Sequence, residues 1–295
     1  MRYFAPTTVE EAVGLLAEAP GRKVFAGASD LIPQIRSGRP EPDGIVDLKR
    51  IARLVQVRST GTGWVIGAAT PTVMLTSHET LATEFPGLVE AAGLIGSDQV
   101  QSRSSLGGNL CNASPAADSV PAMVVNDMRA VIATVTGTRT IPVHELPAGP
   151  GRTTLAPGEF VIEFELDHAP PGTADAYLRL IPRTEMDIAV VGAGARVTLD
   201  AEGRCTSATI ALGAVAPTVV LLPDAAAALA GRAIDDGSLP AVAAAASAAC
   251  NPIDDKRGTI AYRRHVAGVL AKRAVTTAAE RARARTNGRT TGGHR

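Results

Sequence analysis

The stretch SSLGGNLCNASPAADSVPA, Ser104 to Ala122, sets a Gly-Gly pair and two asparagines among small residues, with a single aspartate near its end. Ser104 and Ser105 supply hydroxyls. Gly107 and Gly108 allow close approach and unhindered N–H groups, and Asn109 and Asn112 can both donate and accept. Pro115 and Pro121 stiffen the second half of the stretch. Asp118 can accept from a ribose or adenine donor, or else cap a helix around Pro121 to Asn126.

A second bend of the same scale lies upstream. Lys23 to Ala26 reads as a short strand and Leu31 to Ser37 as a helix. Gly27-Ala28-Ser29-Asp30 makes the turn between them, with Ser29 or Asp30 as its cap. Converging N–H groups in such turns hold anions, and two cradles suit a diphosphate better than one.

Other small-residue stretches fail on context. Val191-Gly192-Ala193-Gly194-Ala195-Arg196 looks like a dinucleotide fingerprint, but that motif needs a helix after the glycines, and Ala195 to Leu199 continues as a strand. Neither a GxxxxGK[ST] phosphate loop nor a GxSxG nucleophile turn is present. Cys111, Cys205 and Cys250 form no CxxC pair, and the five histidines lack metal-ligand spacing, so no metal is expected in this chain. Cys205 and Cys250 read as buried free thiols.

Bulk composition narrows the class further. The chain has 295 residues, 45% of them hydrophobic, enough for two or three domains with real cores. Its 29 basic residues balance 29 acidic ones, which argues against nucleic acid as a partner. No apolar run reaches the roughly 20 residues of a membrane span, and Met1 to Pro6 has no secretory pattern, so a cytoplasmic protein is expected.

Along the chain, Thr7 with Glu10 and Thr8 with Glu11 offer overlapping capping boxes for a first helix. Ile45 to Leu48 is a strand. Leu54 to Arg58 and Trp64 to Ala68 flank Gly61-Thr62-Gly63 as a hairpin. Pro71 to Ile95 is helical, broken at Pro86. Ala130 to Val135 pairs with Thr140 to Val143, Pro147 to Gly158 is a loop, and Phe160 to Leu166 alternates as a strand. Ala176 to Leu180, Asp187 to Leu199 and Thr206 to Val215 follow as strands, the last two joined at Asp200-Ala201-Glu202-Gly203. From Pro223 the alanine-rich sequence is helical. The expected class is α+β, with segments 1–52, 53–170 and 171–279 as units and 280–295 as a frayed, arginine-rich tail.

Ala26-Gly27-Ala28-Ser29-Asp30-Leu31-Ile32-Pro33, together with Ser105-Leu106-Gly107-Gly108-Asn109-Leu110 and Ala113-Ser114-Pro115-Ala116-Ala117-Asp118, closely resembles the FAD-binding medium subunit of molybdenum hydroxylases, the family of carbon monoxide and xanthine dehydrogenases. RTEMDIAVV (Arg183 to Val191), LGAVAP (Leu212 to Pro217) and the stretch Asn251 to Ala274 look like that family's C-terminal domain, so the resemblance covers nearly the whole chain. It implies a two-subdomain FAD module of the vanillyl-alcohol-oxidase (PCMH) type followed by an antiparallel sheet with helices. In it, Ala26, Gly27, Ala28, Ser29, Asp30 and Leu31 form one FAD-diphosphate loop, and Ser105, Leu106, Gly107, Gly108 and Asn109 the other. Asp118 would contact the nucleotide end, and Tyr177 or Arg179 would sit near the flavin ring. This chain departs from relatives in having Ala28 where many have a second glycine, Arg179 where lysine is common, and Gln101-Ser102 for Arg-Asn. It also lacks cysteines for the iron–sulfur insertion of the hydroxybenzoyl-CoA reductase branch.

The implied role is an electron relay with no catalytic acid or base of its own. A large molybdopterin subunit would hydroxylate substrate, and a small [2Fe-2S] subunit would pass electrons to this FAD, in a dimer of heterotrimers. Two alternatives share the fold: a stand-alone flavin oxidase, and an assembly subunit that has lost its cofactor.

Overall fold

Thr8 starts the first helix by accepting from the Glu11 amide, while the Glu11 carboxylate reaches back to the Thr7 amide, so the second of the two capping boxes is the one used. The computed structural model describes residues 1–290, with side chains through residue 286. Strands β1 (Arg2–Phe4), β2 (Arg22–Phe25) and β3 (Gly44–Asp47) form a parallel sheet in the order β1-β3-β2, connected through helices α1 (Val9–Glu18) and α2 (Leu31–Arg36).

The chain then enters an antiparallel sheet through the expected hairpin, β4 (Val57–Ser59) and β5 (Gly63–Gly67). Six short helices come next: α3 (Thr72–Thr76), α4 (Glu79–Glu84), α5 (Pro86–Gly93), α6 (Asp98–Gln101), α7 (Leu106–Cys111) and α8 (Ser119–Val125). Pro86 ends one helix and opens the next, because its fixed φ and missing N–H suit a first helical position. Strands β6 (Arg129–Thr134) and β7 (Gly137–Pro142) pair as read from sequence. The Pro/Gly-rich stretch carries a small ribbon, β8 (Pro147–Gly149) with β9 (Arg152–Thr153). Then β10 (Phe160–Asp167) inserts between β5 and β6 to complete the order β4-β5-β10-β6-β7. Ala12, Val13 and Leu16 of α1 share a core with Val131 and Ala133 of β6 and Phe160 and Ile162 of β10, which fixes the first sheet against the second.

The last unit is the antiparallel sheet β11 (Thr173–Leu180), β12 (Val191–Leu199), β13 (Cys205–Gly213) and β14 (Val220–Leu221). Helices α9 (Pro223–Leu229), α10 (Leu239–Ala249) and α11 (Ile260–Thr290) cover it. Its other side meets α5 and α8. Buried Asp175 accepts from the Gly87 and Leu88 amides, at 3.0 and 2.9 Å, and from Asn126 Nδ2 at 2.8 Å. Gly192 and Gly194 lie inside β12, and a Cβ on Gly194 would stand 2.9 Å from the Pro121 carbonyl oxygen. These glycines serve close packing within a sheet, as their sequence context argued.

One expectation is corrected here. The arginine-rich stretch from Glu280, read as a frayed tail, continues α11 as far as Thr290. Ala282 is fully buried. Arg281 pairs with Glu90 and donates to the Asp175 carbonyl, and Arg285 donates to the carbonyls of Thr173, Thr83 and Glu84. The apolar content is low because the anchoring is done by guanidinium groups binding carbonyl oxygens, a pattern that composition does not reveal. Residues 291–295 of that stretch lie outside the described residues. Among the described residues no helix is long and apolar enough to cross a membrane.

Candidate functional site

The first bend departs from the end of β2, where Lys49 Nζ donates to the Ala26 carbonyl at 2.9 Å and to Asp47 Oδ1 at 2.7 Å. Gly27 then presses on the chain just before α7: a Cβ there would lie 1.7 Å from the Arg103 carbonyl oxygen, so only glycine allows the two segments to touch. Ala28 follows with φ +59°, the left-handed conformation that a second glycine would take without strain. The backbone amides of Gly27, Ala28, Ser29 and Asp30 donate to no acceptor among the described residues, which leaves a run of unused donors.

The second bend opens α7, with Ser105 as N-cap accepting from the Gly108 amide at 3.1 Å. The Gly107 amide donates to Ala68 O, and a Cβ at Gly107 would lie 2.4 Å from that oxygen. The expected pair of free glycine amides is therefore not what this bend offers. Gly107 is a packing glycine, while Gly108 leaves open space: a Cβ there would meet only Ser105 Oγ, at 3.3 Å. Asn109 Oδ1 accepts from the Ser119 amide and hydroxyl, tying α7 to α8. Leu106 is buried core. The stretch read as a cradle is thus two short helices joined by a turn, because Ser105 caps α7 and Gly107 packs on Ala68.

The two bends line one groove of about 540 Å³. Ala26, Gly27, Ala28, Ser29, Asp30 and Leu31 face Ser105, Gly108 and Asn109 across it. A third wall, Leu155 to Phe160, is legible in the sequence only as the end of a loop and the start of the strand at Phe160, not as part of the site. It is held by Glu159, whose carboxylate accepts from Arg139 at 2.7 and 3.0 Å and from the Ala156 amide at 2.8 Å. The Pro157-Gly158 pair was the only signal in the sequence for that turn. Cys111 also lines the groove, and burial pushes its thiol up to about 12, so it stays neutral.

Asp118 and Arg179 lie elsewhere. Neither lines this groove. Arg179 donates to Asp118 Oδ2 at 2.6 Å and Tyr177 Oη to Oδ1 at 3.0 Å, forming a cluster between the start of α8 and β11. Asp118 holds the N-cap position of α8 but makes no side-chain cap bond, its oxygens being taken by these partners. Burial raises the Asp118 carboxyl, only partly offset by Arg179 and Tyr177. Burial and then Asp118 raise the Tyr177 hydroxyl well above its ordinary value. Tyr177 is 3% exposed, a core residue.

The site has the properties of a dinucleotide cradle: free amides on one side and a glycine-opened helix start on the other. Comparison with known proteins accords with this chemistry. The family "FAD binding domain in molybdopterin dehydrogenase" matches residues 1–167, and "CO dehydrogenase flavoprotein C-terminal domain" matches 176–278. The carbon monoxide dehydrogenase medium chain of Hydrogenophaga pseudoflava is 33% identical, over 94% of this chain and 96% of its own. A 6-hydroxypseudooxynicotine dehydrogenase complex subunit alpha from Paenarthrobacter nicotinovorans is 29% identical over 95% of each. The solved carbon monoxide dehydrogenase from H. pseudoflava superposes with a TM-score of 0.91, covering 95% of this chain and 98% of that one. This chain therefore belongs to the FAD-binding medium subunits of the molybdenum hydroxylases, an oxidoreductase family whose cofactor is FAD.

Proposed function

We propose that this chain is the electron-transfer subunit of a multi-subunit molybdenum hydroxylase, taking electrons from the [2Fe-2S] clusters of a small partner subunit and passing them to an external acceptor. A large molybdopterin subunit carries out the substrate chemistry in this scheme, the whole forming a dimer of heterotrimers in the cytoplasm. The observation that carries the proposal is the joining of two distant bends, around Gly27 and Gly108, in one groove with a run of unused backbone donors on its edge.

In this role Ala26 to Leu31 hold the diphosphate of FAD through backbone amides, and Ser105, Gly108 and Asn109 close the opposite side. The bound flavin supplies the ability to accept electrons singly or in pairs. The protein's part is binding, orientation and shielding, so no acid or base is assigned here. Asp118, with Arg179 and Tyr177, forms a rigid charged platform outside the groove. The family resemblance implies Asp118 at the nucleotide end and Tyr177 or Arg179 by the flavin ring; because the three touch one another, we assign them together to a single end of the cofactor.

The test is purification of the chain with its companions from the native cell, with flavin, iron and molybdenum counted. Stoichiometric FAD together with both metals supports the proposal. FAD without the metals would favour a stand-alone oxidase, and metals without FAD an assembly subunit. Substrate added to the complex under anaerobic conditions is expected to bleach the flavin absorbance through the clusters.

A further inference from the structure

A chain of hydrogen bonds crosses the groove between the first bend and α7, and its direction is fixed at both ends. Arg39 Nη1, which can only donate, reaches Gln34 Oε1 at 3.0 Å. Gln34 Nε2 donates to Asn112 Oδ1 at 2.9 Å, and Asn112 Nδ2 donates to Asp30 Oδ1 at 3.3 Å, where the chain ends on an acceptor. An arginine at one end and a carboxylate at the other leave one orientation for each amide, so Asn112 accepts from Gln34 through Oδ1 and donates to Asp30 through Nδ2. The two cross-groove bonds join residues 78 and 82 positions apart. Gln34, Asp30 and Asn112 all line the groove, and Gly27 meets Arg103 beside them.

From this we infer that Asn112 is a positioning residue: with Gln34 and Asp30 it sets the spacing between the free amides of the first bend and the open side of α7, and so preorganises the site for a dinucleotide. The inference rests on the FAD reading given above. Linked polar groups of this kind act as a unit, and removing one member should release the others. Independent contacts to the cofactor would behave differently, since their losses multiply.

The experiment is FAD titration of the purified full chain, followed by flavin fluorescence, for the unaltered protein, Asn112→Ala, Asp30→Ala and the double variant, with melting of each chain before FAD is added. Each single change is expected to weaken FAD about tenfold, since either one breaks the Asn112–Asp30 link, and the double variant to remain near tenfold. Melting should move little. The exchange Asp30→Asn with Asn112→Asp reverses donor and acceptor while keeping the net charge, and should restore binding to within about threefold of the unaltered chain; it also decides the matter if Asn112→Ala fails to fold. Unchanged affinity in the single variants, a product near a hundredfold in the double, or an exchange that restores nothing overturns the inference while leaving the FAD assignment intact. An unaltered chain that takes up no FAD removes both.

Discussion

Gly27 is the residue on which the site closes. Its would-be Cβ is 1.7 Å from a backbone oxygen, which cannot swing aside as a side chain would. Gly27→Ala must push the first bend away from Arg103, at a cost of about 3 kcal/mol, and the purified protein should lose its flavin. Its neighbour behaves in the opposite sense: Ala28 already occupies a left-handed conformation, and Ala28→Gly should gain about 0.5 kcal/mol, strain relief outweighing the looser unfolded chain. Differential scanning of the two variants separates them by sign. A third residue ties stability to pH. His168 Nδ1 faces Glu84 at 3.0 Å and Nε2 faces the Thr60 carbonyl at 3.1 Å, so both ring nitrogens meet acceptors and the protonated ring is favoured. Its pKa is raised above 6.5 by Glu84 and then by Thr60. That contribution is complete below pH 6.5 and fades as pH climbs through the raised value. Glu84 has the reverse sign: burial opposes its ionisation, but Trp64, the Ala169 amide and His168 together lower it, so its share is lost as pH falls through a value below 4.5. Because the imidazole is partly exposed, His168→Gln should remove only about 1–2 °C of the alkaline decline in Tm, measured between pH 6 and 9.

At the scale of the element, α11 is the part whose role runs against its composition. Arg281 and Arg285 bind carbonyls at the end of α4 and on β11, and Arg283 donates to the Ile234 carbonyl at 3.0 Å, so the end of one helix ties together a loop, a strand and a second helix. Deleting 281–295 should cost about 3 kcal/mol and lower Tm by roughly 5–10 °C, since buried carbonyls lose charged donors and Ala282 loses its packing. Unchanged melting would show that these contacts contribute nothing. Strand β12 makes the complementary point: its glycines were legible as sheet residues because a strand continued after them, and in the fold Gly194 lets α8 approach the sheet backbone while Gly192 leaves room for the Tyr177 ring.

For the molecule as a whole, local patterns carried much of the architecture. Alternation, turn residues and capping pairs announced the hairpins β4–β5, β6–β7 and β12–β13 and the first helix, since each depends on neighbours within a few residues. The two small-residue bends could be picked out as cradle material for the same reason. What the chain order could not express was the insertion of β10 between β5 and β6, the wall Leu155 to Phe160, and the meeting of Gly27 with Arg103, each of which joins segments tens of residues apart. Asp118 illustrates the limit. Its residue type allowed a cap or a ligand contact, and only the approach of β11 to α8 gave it Arg179 and Tyr177 as partners. The amino-acid order thus determined the elements, the glycines and the class of ligand, because backbone conformation and donor chemistry are local properties. Tertiary structure alone decided which amides stay free and which are consumed, because a donor is used up only by an acceptor that folding brings within about 3 Å.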